Sequence, residues 1–80
     1  MTLFFFDLRS ADTFSQDEEG IELPDAEAAH KEALGALSDA ARDAVIEGST
    51  DQLLAVEVRD EIGPVLEVTA FFSSRIFRRQ

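Results

Sequence analysis

Cysteine and tyrosine are absent from the chain, and histidine and lysine each occur once. Without cysteine there is no disulfide framework, no thiolate zinc site and no thiol catalysis. One imidazole, His30, and one amine, Lys31, leave little of the usual acid–base and nucleophilic inventory. No G-x-S-x-G elbow, P-loop, H-E-x-x-H or dinucleotide-binding pattern occurs, and no cofactor is implied. No apolar run approaches the roughly 20 residues of a membrane-spanning helix. The start, Met1 to Asp7, lacks a basic segment, and its apolar run stops after four residues, which is too short for a secretory signal. These absences lead to the expectation of a cytoplasmic protein with no membrane association. Two prolines and four glycines form no Pro/Gly-rich linker, so 80 residues make one domain.

Basic residues are scarce as well, with seven against seventeen acidic ones and a net charge of −10. Three of the seven, Arg75, Arg78 and Arg79, fall in the last six positions. Residues 1–74 hold the other four together with all seventeen acids, so they carry −13 and the tail +3. A body of that charge repels phosphate backbones, and no nucleic-acid partner is expected across it. The acid chiefly serves solubility.

What is present is apolar periodicity over 45% hydrophobic residues. Leu3 to Leu8 reads as a central strand with large apolar groups on both faces. Phe4, Phe6 and Leu8 point one way, and Leu3, Phe5 and Asp7 the other. Ser10-Ala11-Asp12 turns into a short second strand at Thr13 to Gln16. Asp17-Glu18-Glu19-Gly20 has the form of a turn with a left-handed glycine. Ile21 and Leu23 then return to the core at strand spacing. Asp25 caps a helix over residues 26–47, with Gly48 as its stop and Ser49-Thr50-Asp51 as loop. On the helical wheel Ala26, Ala29, Ala33, Leu34, Leu37, Ala40, Ala41, Ala44 and Val45 share the apolar face. Leu53 to Arg59 and Val65 to Phe72 alternate as two more strands around the hairpin Asp60-Glu61-Ile62-Gly63. The expected fold is α+β, β-β-α-β-β. It forms a four-stranded antiparallel sheet in the order second, first, third, fourth, with one long helix on one face. Residues 1–72 form the domain and 73–80 a basic tail.

His30 falls inside the apolar arc, about 40° from Ala26 on the wheel. It reads as a partly buried histidine with its ring tip at a backbone carbonyl or water, and not as a catalytic base. Asp17, Glu18, Glu19, Glu22 and Asp25 invite a metal reading, but with Gly20 at the sixth position of a calcium loop Ser15 stands first and Ala26 twelfth, where a bidentate Glu is needed. These acids read instead as turn, cap and solvated-face residues. In the tail, basic and aromatic residues interleave. It is expected to fold back on the acidic surface, or to extend the last strand and touch a second subunit.

Three segments occur in a telling order: Met1-x-x-Phe4-Phe5-Phe6-Asp7, the block Asp17 to Asp25 (D-E-E-G-I-E-L-P-D), and Val58-x-Asp60-Glu61-x-Gly63. Together they resemble a family of short alphaproteobacterial proteins classed only as a domain of unknown function, over roughly residues 3–72. The resemblance implies the same element order and a bacterial cytoplasmic setting. It implies no activity, cofactor or catalytic residue.

The functional expectation is a non-enzymatic protein-interaction or structural module acting through the sheet face opposite the helix. Its surface is expected at Leu3, Phe5, Leu53, Ala55 and Phe71, with Ile76 and Phe77 at the edge. One helix covers only one face of a sheet, so a homodimer is expected to cover the other, and a further protein partner is possible. The alternative is an acidic effector or nucleic-acid mimic that occupies a basic protein surface.

Overall fold

The computed structural model describes residues 1–48 and 52–78. The expected loop Ser49-Thr50-Asp51 and the tail's Arg79 lie outside the described residues. The elements are β1 (Thr2–Arg9), β2 (Phe14–Ser15), β3 (Ile21–Leu23), α1 (Ala26–Ile46), β4 (Gln52–Arg59) and β5 (Pro64–Phe72). All strand pairs are antiparallel, in the order β2-β1-β4-β5, and β3 also pairs with β1. One helix on an open antiparallel sheet is the α+β arrangement the periodicity predicts, with the strand order as expected. The difference is β3. Ile21 and Leu23 do not merely return to the core; they pair with Phe4 and Thr2 along the same edge of β1 that β2 uses further on.

The helix begins because Asp25 accepts a hydrogen bond from the Ala28 amide at 2.9 Å, filling one of the orphan donors of the first turn. It ends at Glu47, and Gly48 follows with φ +87°, its amide bonded to the Val45 carbonyl. Ala29, Ala33, Leu37 and Ala44 are buried, with Ala36, Ala40 and Ala41 packed beside them. They meet Phe4, Leu54, Val56, Val58 and Val68, and Phe6, Leu8, Leu66, Ala70 and Phe72 at the margins. All of these strand residues are one alternation set, so the core is a single layer between α1 and one sheet face.

Two expectations about the helix need correction. Leu34 and Val45, assigned to the apolar face, are exposed, as is Ala26. Alanine contributes little contrast to the wheel, and packing selects the arc centred near Ala33, Ala40 and Ala44, some 80–140° from Leu34 and Val45 at 100° per residue. Ala26 lies within that arc but is the first residue of the helix. His30, expected to be partly buried, is exposed, although on the wheel it lies between Leu37 and Ala41.

Backbone parity settles which groups of β5 are unused. The Phe6 amide turns away from β4, toward Asp17, so Phe6 and its partner Val58 exchange no ladder bonds. Val58 therefore turns its polar groups to Leu66. Along β5, Leu66, Val68, Ala70 and Phe72 bond to β4. Glu67, Thr69 and Phe71 direct their N–H and C=O groups outward, and among the described residues no strand pairs with that edge.

Candidate interaction surface

The face opposite α1 displays Leu3, Phe5, Asp7 and Arg9 of β1, Leu53, Ala55, Glu57 and Arg59 of β4, and Glu67, Thr69 and Phe71 of β5. The cross-strand register stacks them in rows. Asp7 stands opposite Glu57 and Glu57 opposite Glu67, while Phe5 faces Arg59 and Leu53 faces Phe71. The continuous apolar patch expected there does not form, because three carboxylates and two guanidiniums occupy its middle.

That polar centre is tied together internally. Asp7 is 4% exposed, a burial that a carboxylate tolerates only when paired and hydrogen-bonded. Arg59 Nε donates to Asp7 Oδ2 at 2.9 Å, and the Asp17 amide donates to Oδ1 at 2.9 Å. Arg59 Nη2 also donates to the Asp17 carbonyl at 3.0 Å, and the guanidinium lies 4.4 Å from the Phe5 ring centroid, a cation–π stack. Arg9 pairs with Glu57 at 2.8 Å and stacks on Phe14 at 4.5 Å. The Glu57 hydrogen bond, and then its charge, raises the Arg9 pKa further above its ordinary value.

Asp17 supports this arrangement from the rim. Phe4 pairs with Ile21 of β3 and Leu8 with Ser15 of β2, and the Phe6 amide falls in the gap between them. Asp17 Oδ2 accepts that amide at 3.0 Å, in place of a missing strand. Its Oδ1 accepts from Glu19 and Gly20 at 3.1 and 3.2 Å, closing the turn. Partial burial alone would raise the Asp17 pKa. The amides of Phe6, Gly20 and Glu19, with the Arg59 charge, outweigh it and hold the carboxyl below its ordinary range. Gly20 has φ +74°, and a Cβ there would lie 3.0 Å from the Phe4 carbonyl oxygen. Asp60 repeats the device, accepting from the Ile62 and Gly63 amides in the β4–β5 hairpin.

Of the acids in the motif segments, Asp17 fills a strand gap and closes a turn, Asp25 caps the helix, Asp60 closes the hairpin and Asp7 pairs with Arg59. An open concavity of about 450 Å³ runs beside Asp7, Glu57, Arg59 and Glu67, but Asp7 and Arg59 already engage each other and Glu57 engages Arg9. Among the described residues, no three His, Cys, Asp or Glu side chains converge as metal ligands.

The expected surface residues separate into two groups. Leu3 and Phe5 are half-buried under the Asp17–Gly20 turn and Arg59, and Ala55 is 6% exposed. Leu53 and Phe71 are 53% and 65% exposed and stand opposite each other. Ile76 and Phe77 follow in a tail that carries no regular structure over residues 73–78 and is exposed throughout. Among the described residues Arg75 and Arg78 form no ion pair with the body, so the tail does not fold back on it; Arg75 stacks on Phe77 at 5.1 Å. Periodicity missed Val45 and Ile46, exposed at the C-terminal end of α1. They line a groove of about 520 Å³ with Ala41, Ala70, Phe71 and Phe72. The ends of β5 and α1 therefore share an apolar groove, and Leu53 at the start of β4 adjoins it through Phe71.

Residues 3–72 match the family described as a domain of unknown function, DUF6894. The chain belongs to this family. The match ends at Phe72, the last residue of β5, and it covers each turn described above. No curated protein and no solved structure matches the DUF6894 chain. No helix among its described residues is long and apolar enough to cross a membrane.

Proposed function

We propose that this DUF6894 chain is a non-enzymatic protein-interaction module whose contact surface is the apolar corner where β4 begins and β5 and α1 end. The observation that carries the proposal is the convergence there of Val45, Ile46, Leu53 and Phe71, each more than half exposed, with Ile76 and Phe77 following in the tail. Single exposed apolar residues are ordinary, and Met1 and Ile62 at the other end are of that kind. Val45, Ile46 and Phe71 lining one groove, with Leu53 opposite Phe71, form a grouping of the sort that marks a binding site. Reading the module as non-enzymatic is supported by the sparse residue inventory and by the mutual pairing of the open face's polar groups. A bacterial, alphaproteobacterial origin and a cytoplasmic setting belong to the same proposal, from the motif blocks at Asp7, Asp17–Asp25 and Asp60–Gly63.

Affinity capture from cell lysate tests the reading, with wild type and Phe71→Glu washed at low salt and at 1 M salt. A protein held by the wild type at 1 M and lost from Phe71→Glu supports an apolar contact. A protein bound equally by both chains places the site elsewhere. A partner released by salt favours the acidic-effector reading, which the internal engagement of Asp7, Asp17, Asp25 and Asp60 weakens.

A further inference from the structure

We infer that a second copy of this chain pairs antiparallel along the free edge of β5. The inference rests on the interaction-module reading and names the occupant that the corner and its adjoining edge take. β5 runs for nine residues with an open edge, and its outward N–H and C=O groups at Glu67, Thr69 and Phe71 form a ladder without a partner. An exposed edge of this length is normally blocked by charge, proline or a covering element. Here Pro64 sits only at its start, and Glu67 is the one charged side chain along it.

Twofold symmetry about an axis perpendicular to the sheet restricts the register. Residues opposite each other must lie on the same face, so Val68 can meet its own copy, or Glu67 or Thr69 can. Centring on Glu67 sets two carboxylates directly opposite each other, which is unfavourable. Centring on Thr69 sets Arg75 beside Gly63 and Arg78 beside Asp60, but places the Glu67 carboxylate opposite the second copy's apolar Phe71. Centring on Val68 places Glu67 opposite the second copy's Thr69 as a pair that exchanges both ladder bonds, and Leu66 opposite the second copy's Ala70. It also carries each tail past the start of the second copy's β5, bringing Arg75 to the Asp60–Glu61 hairpin. Arg75 then meets carboxylates of the acidic body, a complementarity that Arg75 and Arg78 leave unused among the described residues of the single chain. The two sheets become one continuous sheet, with both helices on the same side and each apolar corner beside the seam.

Sedimentation of the full chain at about 100 μM, well above the dissociation constant of a stable dimer, should give twice the 8.8 kDa chain mass. Thr69→Pro removes an outward amide that β4 does not use, and should raise the dissociation constant tenfold or more. Arg75→Glu should weaken the dimer, and adding Glu61→Arg should restore it. Amide hydrogen exchange on the wild type decides the matter whether or not Thr69→Pro folds. In a β5-paired dimer the Glu67, Thr69 and Phe71 amides slow as concentration rises. A single-chain mass at 100 μM, or exchange at those three amides that does not change with concentration, overturns the edge pairing. Lysate capture that still depends on Phe71 would then leave the module reading standing with a different partner.

Discussion

Replacing Asp17 with alanine isolates the device that holds the N-terminal half of the sheet together. Three backbone amides lose their acceptor, those of Phe6, Glu19 and Gly20. The Phe6 amide lies in the sheet between two strands, where a hydrogen bond to an ionised group contributes about 1.5–3 kcal/mol. The turn amides reach water more easily and add about 0.5 kcal/mol each. The expected loss is about 2–4 kcal/mol, against a total of about 4–12 kcal/mol for a domain of this size. That corresponds to a fall in Tm of at least about 8 °C, at about 4–8 °C per kcal/mol. Asp17→Asn keeps one acceptor and should lose about half as much, since its amide group sets a donor against either Phe6 or the turn. The pH dependence has a definite sign. Because the native carboxyl titrates below its unfolded value, its stabilisation is fully present above about pH 4 and is lost as pH falls through the lowered native pKa. Urea denaturation of Asp17→Asn should therefore show a shallower loss of stability below pH 4 than the wild type. A cost under about 0.5 kcal/mol for Asp17→Ala, the range of ordinary surface changes, would refute the strand-gap role.

Arg59→Ala leaves the buried Asp7 carboxylate with the Asp17 amide as its remaining donor. The cost should be about 2–4 kcal/mol by chemical denaturation, below that of a fully buried pair because Arg59 is partly exposed. Arg59→Lys should recover only part of it, since a lysine cannot reproduce the fork to Asp7 and Asp17. Leu37→Ala opens the core between α1, Phe4 and Val58 and should cost about 2–5 kcal/mol in the same assay. Gly20→Ala meets both a positive φ and the Phe4 carbonyl, and should cost about 1–3 kcal/mol.

The parts of the fold legible in the sequence were those set by local repetition. Alternation in β1, β4 and β5 assigned every core residue to its face, and Asp25 and Gly48 marked the helix ends within a residue. β3 was less legible because Ile21 and Leu23 are too few to define a strand without β1 beside them. The helix arc was misjudged because alanine contributes so little contrast around the wheel. In the candidate surface, the alternation placed Leu53 and Phe71 outward but could not show that Ala55 is covered. The Asp7–Asp17–Arg59 arrangement joins residues 10 and 52 positions apart from Asp7, so its parts read separately as a strand end, a turn and a surface charge. Val45 was placed on the apolar face and Ile46 on none, and only the packed structure shows both exposed at the end of α1.

Site-specific photo-crosslinking in cells tests the interaction corner most directly. A photoreactive phenylalanine analogue is placed at Phe71, at Leu53 and, as a control on the exposed face near the start of the helix, at Lys31. Crosslinked species at positions 71 and 53 and none at 31 are the expected result. Efficient crosslinking from position 31 with none from 71 or 53 would contradict a contact surface built from Leu53, Phe71 and the elements that end beside them.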